Sequence, residues 1–471
     1  MPTNSNGDEM NFSTVAISFL LPPTPDGKRK AGIEMKKLLS SLLALVMLAA
    51  PVMALAADCQ VGVLYPLSGN VATIGQLDVL AIELAAEIIN NEHPELDLPF
   101  AAEAGIPGLD GGKLVLSVSD TQGNAEIGQS EAERLIEEVG VDVIIGAYNS
   151  AYNSAYNSAV TKTASTVAER SEIPFINADS TSVDLTERGY EWFFRTTPHD
   201  GTFIEDSFEF LSSLRDEKGL DIQTLALFHE DTEYGAKLRA QIEEQAPAYG
   251  FDIVENISYS QNATNLSAEV MKLKETNADV LMCGSYNSDA ILLYRTMKEQ
   301  NWAPKLLLGQ RAGFTATETV ETVGATDMND TLSTNLFALD LSVTNPNVQV
   351  VNDLFKEYQV EKGFVSDAAS GADMNDAYAR AFTVVFALAY ALDAAGSTEN
   401  YAVQEALQGL DVANEGQLIV PWSGIRFDES GQNVLAGGII TQLIDGAFVT
   451  VYPFESAASE VVYPYTPWSE R

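Results

Sequence analysis

Cysteine and histidine are nearly missing: the 471 residues contain 2 Cys and 3 His. That leaves no material for a disulfide scaffold, a zinc module or an iron–sulfur site, so neither a metal nor a cofactor is expected. Basic residues are scarce, with 26 Lys+Arg against 67 Asp+Glu and a formal net charge of −41. Such a surface repels phosphate backbones and anionic lipid headgroups, which excludes nucleic acid as a partner. Catalytic signatures are also lacking. No GxGxxG, HExxH or GxSxG occurs, and Gly111-Gly112-Lys113 has neither the upstream glycine nor the following Ser/Thr of a phosphate loop. His93, His199 and His229 are scattered without metal-ligand spacing, and each is expected to be a surface or hinge residue. No enzyme is expected.

Hydrophobic residues make up 46% of the chain, enough for a large core, and the length suggests two or three domains. Met35-Lys36-Lys37 opens an apolar run from Leu38 to Ala56 that ends in Ala54-Leu55-Ala56. A basic start, an apolar centre and a small-residue site are the layout of a secretory signal peptide, with cleavage expected near Ala56/Ala57. Residues 1–34 read as an extension ahead of the genuine start at Met35. Cys59 follows Asp58 and not a small residue, so no lipoprotein is expected. No further apolar stretch of spanning length is read after the leader, which places the mature chain outside the cytoplasmic membrane, in the periplasm. Residues 1–56 carry four acids and five bases, so the negative charge belongs to the mature fold. Cys59 and Cys283 are expected as unpaired thiols.

Beyond the leader, short apolar runs alternate with segments of helical period, the pattern of βαβ units and a mostly parallel sheet. Gln60–Tyr65, Leu114–Val118, Val141–Ile145 and Ile173–Ile176 read as strands. Helices are expected from Leu77, over Glu126–Val139 and over Ala159–Arg170. After Arg195-Thr196-Thr197-Pro198 the pattern restarts, with strands Thr224–Phe228, Phe251–Ser258, Asp279–Cys283 and Lys305–Leu308. Helices Tyr234–Gln245, Leu266–Glu275 and Ala290–Gln300 lie between them. Two doubly wound α/β lobes are therefore expected. A helix-rich stretch (Val348–Tyr358, Asp376–Ala395) and a glycine-rich terminal region follow, and Pro94–Gly112 reads as a surface insertion. Ala-Tyr-Asn-Ser occurs three times in succession over 147–158. Four residues are too few for a solenoid unit, so this reads as a loop expanded by two copies.

In open α/β sheets ligands gather beyond the carboxyl ends of the strands. There, Tyr156-Asn157-Ser158 precedes a helix starting at Ala159, so Ser158 is a candidate N-cap whose exposed amides suit a carboxylate. Asn177-Ala178-Asp179-Ser180-Thr181-Ser182 forms a second hydroxyl-rich loop. Four segments then carry a family resemblance: Tyr65-Pro66-Leu67-Ser68-Gly69; Leu185-Thr186-Glu187-Arg188-Gly189-Tyr190 with Arg195-Thr196-Thr197; Tyr234-Gly235 after His229; and Phe427-Asp428-Glu429-Ser430-Gly431. In order and spacing the chain resembles the branched-chain amino-acid-binding periplasmic proteins that serve ABC importers.

The resemblance implies a type I periplasmic-binding-protein fold with a three-crossover hinge. It places residues 57–198 and 338–425 in lobe one, and 199–337 and 426–471 in lobe two. It implies a monomer that closes on an amino acid or related small carboxylate and docks on a membrane permease. The alternatives are a ligand-sensing receptor domain of the same fold, or a binder of a non-amino-acid (di)carboxylate. Carried over by residue, the ligand-binding positions are Ser158, Asp179, Ser180, Thr181, Tyr286, Arg311 and Ile74. Ile74 stands where relatives have an aromatic. Arg311 stands where they have the acid that meets the ligand ammonium, a charge reversal that suits a carboxylate instead.

Overall fold

The computed structural model describes residues 56–69, 72–148 and 159–471. The leader expected at 35–56 therefore lies outside the described residues except for Ala56, as do residues 1–34, Ser158 and most of the tetrapeptide repeat.

The first lobe is built on a five-stranded, all-parallel sheet. Its strands are β1 (Cys59–Tyr65), β2 (Leu114–Asp120), β3 (Val143–Gly146), β4 (Phe175–Asn177) and β5 (Phe193–Arg195), in the order β2-β1-β3-β4-β5. The central strands read as continuous apolar runs because helices cover both faces. Helices Ala72–Asn90 and Asp376–Ala395 pack against each other and fill the larger part of the core, so a segment distant in sequence completes lobe one.

The second lobe carries β6 (Thr224–Glu230), β7 (Asp252–Tyr259), β8 (Val280–Gly284), β9 (Leu306–Gly309) and β10 (Leu332–Asn335), which run parallel. A short antiparallel pair, β11 (Asp411–Ala413) with β12 (Gly424–Arg426), precedes the return to this lobe. There β13 (Ile439–Ile444) and β14 (Ala447–Tyr452) add an antiparallel edge, giving the order β14-β13-β10-β9-β8-β6-β7.

Three crossovers join the lobes, after β5, after β10 and ahead of β13. Two of them are stitched together by a fully buried arginine. Arg195 N–H donates to Gly431 O at 2.7 Å and Arg195 O accepts from Asn433 N–H at 2.9 Å. Its guanidinium donates to Gln432 Oε1 (2.6 Å), Ser182 O (2.5 Å) and Thr186 Oγ1 (2.9 Å). A Cβ at Gly431 (φ +77°) would fall 2.0 Å from Phe193 O, so only glycine lets this segment approach so closely. Two of the segments that carry the resemblance, 195–197 and 427–431, thus meet in one place.

Several expectations change. The Glu126–Val139 helix keeps its α form over Ala125–Arg134, capped by the Asn124 side chain, and widens into a π-turn at Leu135–Val139 before Gly140. Phe193–Arg195, Asp200–Asp216, the two late hairpins and Asn400–Gln408 are elements that the pattern did not reveal. Pro94–Gly112 is not a mere surface insertion: Leu98, Ala101, Ile106 and Leu109 are buried in the lobe-one core. Helix Asp376–Ala395 is long and apolar enough to span a bilayer, contrary to the reading of no such stretch, yet it is packed inside the lobe. Both cysteines are free and buried. His229 is a buried strand residue held by Asn256 Oδ1 (3.0 Å) and Glu230 O (2.9 Å), neither surface nor hinge.

Candidate ligand-binding cleft

Sheet order reverses between β1 and β3 in lobe one and between β6 and β8 in lobe two, so the loops after these strands frame the natural crevice of each lobe. In lobe one the loops after β3 and β4 are tied together. Asn177 Nδ2 donates to Gly146 O (2.8 Å), and Thr161 Oγ1 donates to Ala147 O (2.7 Å) while meeting Ser180 Oγ at 2.7 Å. Tyr148 stacks on Tyr65, ring centroids 6.4 Å apart. Tyr65 OH donates to Asp179 Oδ2 at 2.6 Å.

In lobe two, Tyr286 sits directly ahead of helix Asn287–Glu299, its ring 5.4 Å from that of Tyr234. Tyr234 OH donates to Gln310 O (2.8 Å), which ties the β6 side of the crevice to the loop after β9. Gly313 lies against the Tyr286 backbone, where a Cβ would stand 2.7 Å from its carbonyl carbon. The glycine is what allows the loop bearing Arg311 to approach Tyr286.

Arg311 itself has φ +52°, followed by Ala312 at +45°, a left-handed pair costly for residues with a Cβ. Its guanidinium lies 5.2 Å over the Phe203 ring and donates through Nη2 to Asp376 Oδ2 at 2.6 Å. Asp376 begins the long core helix of lobe one, so this ion pair bridges the lobes. Arg380, one turn later, stands 3.5 Å from both Asp376 and Asp179 and donates to Ala178 O and Asp179 O. Asp78 on helix Ala72–Asn90 is fully buried in the same neighbourhood, and both its carboxylate oxygens are without a hydrogen-bond partner among the described residues.

Burial pushes Asp78 well above the usual carboxylate range, and the nearby Asp179 adds to this. Burial also raises Asp179, although Arg380 and the Tyr65 hydroxyl pull the other way. Asp376 ends below the usual range, because Arg311 and Arg380 outweigh its burial. The cluster thus sets three carboxyl groups, Asp78, Asp179 and Asp376, against the guanidiniums of Arg311 and Arg380.

The periplasmic binding protein family model matches residues 58–447. The chain belongs to this family. It is 30% identical over 435 residues to a Leu/Ile/Val-binding protein homolog 7 of Brucella melitensis, covering 90% of this chain and 98% of that one. Over 409 residues it is 29% identical to a Leu/Ile/Val-binding protein homolog 8 of Brucella abortus, covering 86% and 93%. Among solved structures, an ABC transporter substrate-binding protein from Desulfitobacterium hafniense in complex with Leu superposes with a TM-score of 0.60 at 21% identity, over 83% of this chain and 99% of that one. A branched-chain amino acid transporter substrate binding protein of Streptococcus pneumoniae in complex with isoleucine gives 0.58 at 17% identity, over 86% and 100%. These likenesses agree with the two-lobed type I fold. Members of this family are solute-binding proteins and not enzymes.

Within that frame the site residues read from the sequence divide. The loop bearing Arg311 lies against the Tyr286 backbone at Gly313, and Arg311 reaches lobe one. Asp179 faces inward, its side chain fully buried and engaged by Tyr65 and Arg380. Ser180 is buried too, its hydroxyl spent on Thr161 and Ala147. Thr181 is half-buried and its carbonyl accepts from Asp200 N–H beside the first crossover. Ile74 is half-buried against the lobe-one core. Ser158 lies outside the described residues, although helix Ala159–Arg170 begins directly after it. Asp376 and Arg380 were not foreseen. Their signal was two opposite charges at i and i+4 at the head of a largely apolar helix, a pattern that demands partners.

Proposed function

We propose that the protein captures a small amino acid or related carboxylate between its lobes and delivers it to the permease of an ABC importer. In this reading residues 57–198 and 338–425 make lobe one, and 199–337 and 426–471 make lobe two. Residues 35–56 export the chain, which works as a monomer. The observation that carries the reading is the Arg311–Asp376 pair at 2.6 Å, which places complementary charges from the two lobes at the edge where the crevice loops converge. A ligand touching both lobes stabilises the closed arrangement by its differential contacts. Ser158 and Thr181 receive the carboxylate from lobe one, and Tyr286 closes the other side. The leucine and isoleucine complexes among the structural neighbours, and the names of the Brucella relatives, support an amino acid as ligand.

A thermal-shift panel of the twenty amino acids and common dicarboxylates tests it. A ligand at a hundred times its Kd should stabilise the protein by about 2.7 kcal/mol. A flat panel overturns the reading, and a response to dicarboxylates alone favours a different acid. Ser158→Ala should weaken binding of the active compound by roughly 1–3 kcal/mol in calorimetry while the melting curve of the free protein stays in place. Unchanged affinity moves the carboxylate elsewhere.

A further inference from the structure

Building on the proposed function, we infer that Asp376 is the residue that receives the ligand's ammonium and Arg311 the one that engages its carboxylate, which makes the site a receptor for zwitterionic α-amino acids. Three observations carry this. First, the two charges come from opposite lobes, and their side chains are 23% and 26% exposed, so both are reachable where a ligand would bridge the lobes. An α-amino acid presents the same two charges in complementary order, and on binding exchanges one internal ion pair for two charge-assisted contacts.

Second, each partner has support within its own lobe. Asp376 stays beside Arg380 at 3.5 Å, and Arg311 stays over the Phe203 ring at 5.2 Å. Neither side chain needs the other to hold its place, so both can turn to a ligand without leaving a charge stranded. Third, the competing acids are committed. The Asp179 side chain is wholly buried between Tyr65 and Arg380, and Asp78 is wholly buried on helix Ala72–Asn90. Asp376, by contrast, is partly exposed and is the acid that Arg311 touches, at 2.6 Å. Arg311 and Asp376 together offer one base and one acid, the complement of the two charges of an α-amino acid.

The test uses calorimetric titration with the amino acid that binds most tightly in the panel, its 2-hydroxy acid and its decarboxylated amine; for leucine these are 2-hydroxyisocaproate and isopentylamine. Asp376→Asn should weaken the amino acid about 10–100-fold and leave the 2-hydroxy acid nearly unchanged. Arg311→Gln should weaken both acids and spare the amine. Asp376→Glu should restore most of the lost affinity, which a merely structural role would not predict. Equal losses for the amino acid and its hydroxy acid in Asp376→Asn, with circular dichroism and melting unchanged, would overturn the assignment while the transport reading stands. A wild-type protein that binds only carboxylates lacking an amine would overturn the assignment alone, and one that binds neither an amino acid nor a related carboxylate would take both down.

Discussion

Asp279 shows how a single residue can tie a sheet together. It lies just ahead of β8 and accepts from Gln223 N–H (3.0 Å), Thr224 N–H (3.0 Å) and Thr224 Oγ1 (2.7 Å) at the start of β6. Lys305, just ahead of β9, reaches it at 2.5 Å. Burial alone would raise its pKa, but the lysine and these donors outweigh burial and hold it down at about 2. A folded-state value below the unfolded one means that the ionised form stabilises the fold. This contribution is complete above the unfolded pKa of about 3.9 and disappears as pH falls through the folded value. Asp279→Asn should therefore cost about 2 kcal/mol at neutral pH in urea unfolding, with the deficit shrinking between pH ~5 and ~2. A pH-independent deficit would refute this account. Asp206 works in the opposite sense. Burial lifts it to about 7, so its contribution is full at acidic pH and fades as pH rises through that value.

Among the elements, the repeat loop after β3 is the most instructive. Its first copy begins with Ala147, whose carbonyl is held by Thr161 and Ser180, and with Tyr148, buried on Tyr65. Its last copy ends at Ser158, immediately before helix Ala159–Arg170. The three copies are identical, so removing any two yields one and the same chain. The 2.7 Å hydrogen bond from Thr161 to Ala147 brings the two ends of the loop close enough for a single copy to span. That copy would supply both the stacked tyrosine and the serine ahead of the helix. Deleting eight residues should keep the fold and the binding, and shortening the loop should stabilise the protein by about 1 kcal/mol. Circular dichroism melting together with calorimetric titration decides this. A folded variant that no longer binds would show that the extra copies are part of the site.

At the scale of the whole molecule the dominant quantity is charge. With 67 acids against 26 bases, self-repulsion opposes the folded state at low ionic strength. Raising NaCl from ~0.1 to ~1 M shortens the screening length from about 10 to about 3 Å and should raise the melting temperature in differential scanning calorimetry. A melting temperature that is flat or falls over this range would show that the acids are already compensated locally. Surface pairs such as Lys237 with Asp184, at 3.9 Å between the lobes, are too exposed to do that.

The sequence by itself determined what depends on short-range repetition. Apolar runs of strand length alternating with helical periods specified two α/β lobes, and helices such as Ala159–Arg170 and Asp376–Ala395 were legible residue by residue, because burial on one face or both leaves a local signature. The order of four short segments made the family legible. Short strands such as Phe193–Arg195 escaped because three residues carry no period. Only the tertiary structure decided which charges meet. Arg311 and Asp376 are 65 residues apart and belong to different lobes, and Arg195 and Gln432 are 237 apart. Such pairs form when chain closure brings distant segments together, and no local pattern records that closure.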